Sequence, residues 1–508
     1  MLDRRQLLKL IPATLAASAV MRFLPSHAAE RSPLGINLAG VPYWTSEHPF
    51  TNLATSASRW RLQPRDRPFT WDEPLPPMTE DGYPKSIPQD NYAESFLIAT
   101  SHRGHLPRVL TVAYDGEGRM DYQYGAVLDQ RGKGFDTIRL MNTDGPVTVR
   151  LFSTNADNPL HNLRVLEDPQ NSESVFREPF LQRLNGMSVI RFMDWMATNN
   201  SPIKTWDERP LPGMFGLSEK GIPLEHMIEL ANAKQAAPWF TIPHLADDDY
   251  VRNFARQVRE QLSPELPVYV EYSNEVWNSI FEQAAYAANE GERLQLSGNR
   301  FEAQLRFYSQ RTSEVLAIFE QEFGEDKDRI LGVYVAQGGN VWTSETVLDW
   351  GNARDHADVL AIAPYFGYSY GSPDRSAEVS TWSLDQLFEA MEAEVDGDNR
   401  QSMVDQANFA KARGLELAAY EAGQHLAGIG GAENDDRLTQ LFIAANRDSR
   451  MGQLYKRYLQ NWQDAGGGVM VLYNSMGEPT KSGSWGLLED ESGNVTPKWE
   501  AVHEFLNS

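Results

Sequence analysis

The chain has 508 residues, 70 of them acidic against 46 basic, and no cysteine. Its formal charge of −24 repels a phosphate backbone and an anionic bilayer, so nucleic acid and membrane surfaces are poor partners and a neutral polymer is compatible. The lack of cysteine excludes disulfides, thiolate metal sites, a cysteine nucleophile and a lipid anchor on cysteine, while 41% hydrophobic residues are enough for a large core.

At the start of the chain, Arg4 and Arg5 precede Gln6-Leu7-Leu8-Lys9 and an apolar run from Leu10 to Val20. That run is short for a membrane span. Ser26-His27-Ala28 offers a small-x-small cleavage point, so residues 1–28 read as an export signal leading to the periplasm or the medium. The paired arginines resemble a twin-arginine signal, with Asp3 where Ser or Thr is usual and Leu7 where Phe is usual. No second long apolar segment follows, so no membrane anchor is expected.

Residues 30–90 hold a short apolar run, Leu34–Ala39, suited to a buried strand, and then a loop over 64–90 rich in Pro, Gly and Asp. Over 91–168 short alternating runs appear, among them Arg108–Tyr114, Phe135–Leu140, Val147–Phe152 and Leu163–Leu166, separated by Gly, Asp and Asn turns. Period-two alternation with frequent turns predicts a small antiparallel sandwich. From 169 to 508 the pattern becomes strand and helix in turn. The predicted strands are Ser188–Phe192, Ala237–Ile242, Pro267–Tyr272, Ile330–Ala336, Val359–Ala363, Leu415–Tyr420 and Gly468–Tyr473. Amphipathic stretches such as Leu224–Gln235, Asp249–Leu262, Phe301–Phe323 and Met451–Ala465 lie between them. With Leu34–Ala39 this makes eight strand–helix units, an α/β pattern that suits a closed (β/α)8 barrel with the sandwich inserted between its first and second strands. An open doubly wound sheet shares the pattern, but no Gly-rich phosphate loop follows any of these strands.

Catalytic groups in such a barrel stand at the C-terminal ends of the strands. Strand two ends in Arg191-Phe192-Met193-Asp194-Trp195, strand three in Pro243-His244 and strand four in Tyr272-Ser273-Asn274-Glu275-Val276-Trp277. Strand five leads to Gln337-Gly338-Gly339-Asn340 and Trp342, strand six to Pro364-Tyr365, strand seven to Tyr420-Glu421-Ala422-Gly423, and strand eight to Tyr473-Asn474. Cleaving a glycosidic bond needs two carboxyl groups facing one another, one protonated and one ionised. Glu275 and Glu421 meet this topologically, because strands four and seven lie across the barrel mouth.

An Asn-Glu pair closing strand four and a lone Glu closing strand seven resemble the signature of the clan A retaining (β/α)8 glycoside hydrolases. YVEYSNEVWN around Glu275 looks like that clan's acid/base motif, and YEAG around Glu421 like its nucleophile strand. The likeness covers residues 191–485 and looks closest to exported bacterial cellulase-like proteins. It implies Glu275 as acid/base and Glu421 as nucleophile. It further implies that Asn274 holds the sugar 2-hydroxyl, that Arg191 and Tyr365 contact the nucleophile, and that His244 sits in the sugar site. Carboxyl groups about 5–5.5 Å apart and retention of configuration go with it. Trp195, Trp277, Trp342, Tyr473 and Trp485 follow strand ends and offer faces on which sugar C–H bonds stack; the alternative is that several belong to the core.

Two other readings compete. A non-catalytic carbohydrate-binding protein on the same barrel would keep the aromatics but could lose either glutamate, and both are present. A metal-dependent hydrolase would need His and Asp ligands at several strand ends. His244 with Asp247–Asp249 is the one such grouping, and those carboxylates could equally cap a helix starting near Tyr250. No cofactor and no metal are expected. The expected ligand is a polysaccharide or oligosaccharide, with cellulose, mannan, other β-glucans and an exopolysaccharide all open, and nothing specifies an oligomer.

Overall fold

The computed structural model describes residues 33–99, 106–141, 145–171 and 174–507. The export signal read in residues 1–28 lies outside them. Sixteen strands are assigned among the described residues: β1 (Leu34–Asn37), β2 (Arg61–Pro64), β3 (Asn91–Ile98), β4 (Val109–Asp115), β5 (Gly118–Tyr124), β6 (Ala126–Arg131), β7 (Phe135–Leu140), β8 (Val147–Thr154), β9 (His161–Leu166), β10 (Val189–Arg191), β11 (Ala237–Ile242), β12 (Val268–Tyr272), β13 (Ile330–Val335), β14 (Val359–Ile362), β15 (Glu416–Ala419) and β16 (Met470–Leu472).

Strands β1 and β10 to β16 close into an eight-stranded parallel barrel. Closure is made by β1, which pairs with β10 on one side (Ile36 opposite Ile190) and with β16 on the other (Ile36 opposite Leu472). The (β/α)8 expectation therefore holds, and each expected barrel strand is present within a few residues of its expected limits. The barrel strands are short because parallel strands are covered on both sides: APWFTI of β11 and ILGVYV of β13 are buried at every position. Helices such as Leu224–Lys234, Asp248–Gln261, Arg300–Phe323 and Ser449–Ala465 cover the outside, turning their buried residues inward, and one large apolar cluster joins them to the strands.

Between β1 and β10 the chain forms two four-stranded antiparallel sheets, in the orders β2-β3-β8-β5 and β6-β7-β4-β9. They share a second apolar cluster that includes Trp60, Leu110, Val149 and Val165. The first strand of this unit, Arg61–Pro64, precedes the 91–168 boundary expected for it. Among the described residues no helix is long and apolar enough to cross a membrane.

Candidate active site

Arg191, the last residue of β10, is fully buried, and the site is built around it. Its neighbours in register are Asn37 of β1 and Trp239 of β11. The guanidinium makes a two-pronged contact with Glu271 of β12: Nε donates to Oε2 at 3.1 Å, and Nη2 donates to Oε1 at 3.1 Å and to Oε2 at 2.9 Å. The Trp239 indole N–H also donates to Glu271, at 2.8 Å. The remaining donors of Arg191 reach Glu421 Oε1 at 3.1 Å, the Asn37 side-chain oxygen at 3.1 Å and the Asn274 side-chain oxygen at 2.8 Å. A planar fork of N–H groups is the one side chain able to hold this many acceptors in fixed directions.

Glu421 is the second residue past β15. Its Oε1 takes the Arg191 contact and its Oε2 accepts from the Tyr365 hydroxyl at 3.1 Å. The chain leaves this strand through Gly423, whose φ of +138° and closeness to Tyr455 leave no room for a side chain: a Cβ would lie 2.8 Å from the Tyr455 oxygen.

Glu275 is the third residue past β12. Its Oε1 accepts from the Tyr420 hydroxyl at 2.7 Å and its Oε2 from the Asn278 amide at 2.8 Å. Tyr420 precedes Glu421, so the residue that anchors one carboxyl sits beside the other in sequence. Ser273 and Glu275 both have left-handed backbone, with φ of +62° and +42°. Such conformations in non-glycine residues cost roughly 1–3 kcal/mol each and persist where the surroundings enforce them. Here Gln283 donates to the Asn274 carbonyl at 2.9 Å and to the Asn199 side chain at 2.7 Å, and the Asn274 amide donates to the same Asn199 oxygen at 3.0 Å. Asn274 is thus held from both ends.

Burial pushes the Glu421 carboxyl above the ordinary carboxylate range, and the charge of Glu275 pushes it further; burial also pushes Glu275 up. The two raised carboxyls repel one another, and their partners differ. Glu421 faces a guanidinium, whereas Glu275 has only neutral donors, and each of its oxygens keeps a second lone pair. Asp194 is a third carboxyl in this space. Burial raises it to about 6, and it accepts from the Tyr473 hydroxyl at 3.4 Å. The direct ionic partners of Arg191 are Glu271 and Glu421.

Half-buried aromatics stand around the carboxyls. Trp485 lies edge-on to Tyr365 at 5.9 Å, to His425 at 4.8 Å and to Tyr473 at 5.8 Å. His425 is also edge-on to Tyr365, and burial pushes its imidazole down to about 4, so it is neutral. The half-buried Trp277 keeps its indole nitrogen without a partner.

The structure corrects one expected sugar contact and places another outside the Arg191 network. Trp195 has no exposed surface, donates its N–H to the Ala39 carbonyl at 3.1 Å and stacks on Phe176 and Phe180; it belongs to the core and cannot meet a sugar. Trp342 is 42% exposed on the helix Val341–Leu348 and packs on Phe301, outside the Arg191 network. His244 is buried edge-on to Tyr286 with its Nδ1 unpartnered, and burial holds it neutral, near 4. The carboxylates after it serve the fold. Asp247 caps the helix Asp248–Gln261 through Tyr250 N–H at 2.7 Å, and Asp248 pairs with Arg311. Among the described residues no group of three or more His, Cys, Asp or Glu is placed to hold a metal ion.

Comparison with known proteins gives no family model that matches this chain and no match among curated proteins. Solved structures do match. They include a GH51 arabinofuranosidase from Xanthomonas axonopodis pv. citri, 10% identical over 67% of this chain and 68% of that one, with a TM-score of 0.41. A GH26 endo-beta-1,4-mannanase from Bacillus sp. JAMB-750 is 9% identical over 64% and 77%, TM-score 0.35. A GH10 structure from Paenibacillus barcinonensis is 13% identical over 67% and 91%, TM-score 0.36. The case for function therefore rests on the geometry of the site.

Proposed function

We propose that this protein is an exported glycoside hydrolase that cleaves β-glycosidic bonds of a polysaccharide with retention of configuration. The observation that carries the reading is the asymmetry of two facing carboxyls: Glu421 against a guanidinium and a tyrosine hydroxyl, Glu275 against neutral donors only. In the first step the Glu421 carboxylate attacks the anomeric carbon while Glu275 gives its proton to the departing oxygen, breaking the C–O bond and leaving a glycosyl ester on Glu421. In the second step Glu275, now ionised, takes a proton from water as that water attacks the same carbon, and Glu421 leaves as carboxylate. Arg191 and Tyr365 stabilise the carboxylate before and after. Asn274, fixed by Arg191 and Asn199, is placed to meet a sugar hydroxyl beside the reacting carbon. Tyr473, Trp277 and Trp485 supply aromatic surface for the sugar ring.

The test is hydrolysis of β-glucans, mannans, xylans and exopolysaccharides by the chain without residues 1–28, beside Glu275→Gln and Glu421→Gln. Each substitution is expected to lower turnover by at least about a hundredfold. Proton NMR of the first product is expected to show the anomer of the substrate. Activity that survives both substitutions would overturn the assignment. Binding without hydrolysis by the unmutated protein would favour a carbohydrate-binding role on the same barrel.

A further inference from the structure

The loop that follows β1 presents a group of aromatic rings that the site above does not use. Trp44 is 60% exposed and Trp71 is 45% exposed, unusual values for the largest apolar side chain. The two come from different parts of the chain, Trp44 from the barrel loop and Trp71 from the inserted unit, and Tyr43 joins them. Tyr43 is edge-on to Trp44 at 4.8 Å and stacked with Trp71 at 6.3 Å. Behind Trp71 stand Phe96, stacked at 5.1 Å, and Phe69, edge-on at 4.9 Å. Ala99 N–H donates to the Tyr43 carbonyl at 3.0 Å, tying the loop to the end of β3.

The loop that carries Trp44 is tied to the strand ends of the barrel. The loop begins after Asn37, which holds Arg191. It is pinned on both sides of Trp44 to the end of β16: Ala39 N–H donates to the Ser475 hydroxyl at 3.0 Å, and that hydroxyl donates to Glu47 at 2.6 Å. Trp44 therefore projects from the rim of the barrel mouth, at most about 25 Å of extended chain from Asn37. Like charge weighs against other occupants. Two copies of a chain with net charge −24 repel one another, as do this chain and an anionic bilayer.

We propose that Trp44 and Trp71 form an accessory platform that holds a neutral carbohydrate chain where it leaves the cleft. This rests on the glycosidase reading of the cleft. The apolar C–H faces of successive sugars lie against the exposed indoles, and the inserted unit supplies half of the surface. On this view the insertion extends the substrate site rather than only bracing the barrel.

The experiment uses the full chain in a Glu275→Gln background, which leaves polymers intact. Migration is followed in native gels containing barley mixed-linkage β-glucan, galactomannan or arabinoxylan, with Trp44→Ala, Trp71→Ala and the double variant compared. At least one polymer is expected to retard the parent. The dissociation constant is expected to rise roughly two- to tenfold for each tryptophan removed, and Trp44→Phe and Trp71→Phe are expected to restore most of the retardation. With Glu275 present, the double variant is expected to raise KM on the polymer while leaving kcat/KM on an aryl monoglycoside or disaccharide unchanged. Retardation that is the same in parent and double variant overturns the platform, as does a parent that no polymer retards. In either case Glu275-dependent hydrolysis of the short substrate shows that the cleft reading stands without it. Equal losses on long and short substrates also overturn it, since the rings would then belong to the cleft. A change of sedimentation mass with unchanged retardation makes the patch a contact between copies and overturns it too.

Discussion

In the inserted sheets, Glu94 accepts from Thr148 at 2.6 Å and from Arg150 at 3.0 Å, and Asp136 accepts from Tyr122 at 3.0 Å and from Arg131 at 3.3 Å. Each buried carboxylate there has its own cation. At the barrel mouth one guanidinium serves both Glu271 and Glu421, and Glu275 and Asp194 crowd the same space. The difference separates two uses of buried charge. Matched charge fixes a sheet. Surplus negative charge destabilises its own ionised form and raises the carboxyls. The fold tolerates the surplus because Arg191 is held by four side chains, Asn37, Glu271, Asn274 and Glu421, from three strands and the turns after them.

The same substitution in both places breaks the comparison most sharply. Arg191→Leu strands Glu271 and Glu421 in a dry interior and is expected to cost about 3–5 kcal/mol in urea unfolding. Arg150→Leu in the sheets, where the guanidinium is partly open to water, is expected to cost about 1–3 kcal/mol. Equal costs would mean that the barrel cluster is no more crowded than the sheet cluster.

Glu421→Gln is expected to abolish turnover and yet cost little stability, or raise it. The sign follows from the raised carboxyl. Between the ordinary value of 4.5 and the raised folded value, the folded state binds more protons than the unfolded state, so stability falls as pH rises through that window. Removing the group flattens this fall, which thermal unfolding between pH 4.5 and neutrality reads directly. Asp194→Asn removes a charge that pushes Glu421 up. The acid limb of kcat/KM is expected to move to lower pH by a fraction of a unit. A limb that stays in place would show that Asp194 is electrostatically remote. The smallest effect is expected at Trp342: replacement by Ala should change stability by no more than about 0.5 kcal/mol and leave turnover on short substrates unchanged, since the ring is exposed outside the Arg191 network.

The barrel was readable from the sequence because its parallel strands are apolar on both faces and stand out as short runs between amphipathic helices. The inserted strands were harder. Asn91–Ile98 buries Glu94 and breaks the alternation, whereas Gly118–Tyr124 does alternate, Arg119, Asp121 and Gln123 against Met120, Tyr122 and Tyr124, but holds no Val, Ile or Leu to mark it as a strand. At the site, residues beyond strand ends were legible and residues within strands were not. Glu271 sits inside VYVEY, where a lone polar residue reads as solvent-facing, and only barrel closure turns it inward toward Arg191. Asn37, inside the run Leu34–Ala39, was hidden for the same reason. Trp195 misled because a ring after a strand end looks alike in sequence whether it faces a cleft or the core. Trp71 fell in a stretch read as loop and Trp44 outside every predicted element, and their meeting depends on the packing of the insertion against the first barrel loop.

Barrel closure has a kinetic consequence. The first strand, Leu34–Asn37, completes its pairing only with Met470–Leu472, near the opposite end of the polypeptide. A ribosome must therefore release β16 before the ring can shut, and until then β1 and β15 both carry open edges. Stability is little affected by so long a span, because closure entropy grows only with the logarithm of its length. The rate of folding is affected, since contacts so distant in sequence form late. The inserted sheets, whose partners all lie between Arg61 and Leu166, can assemble well before that last strand arrives.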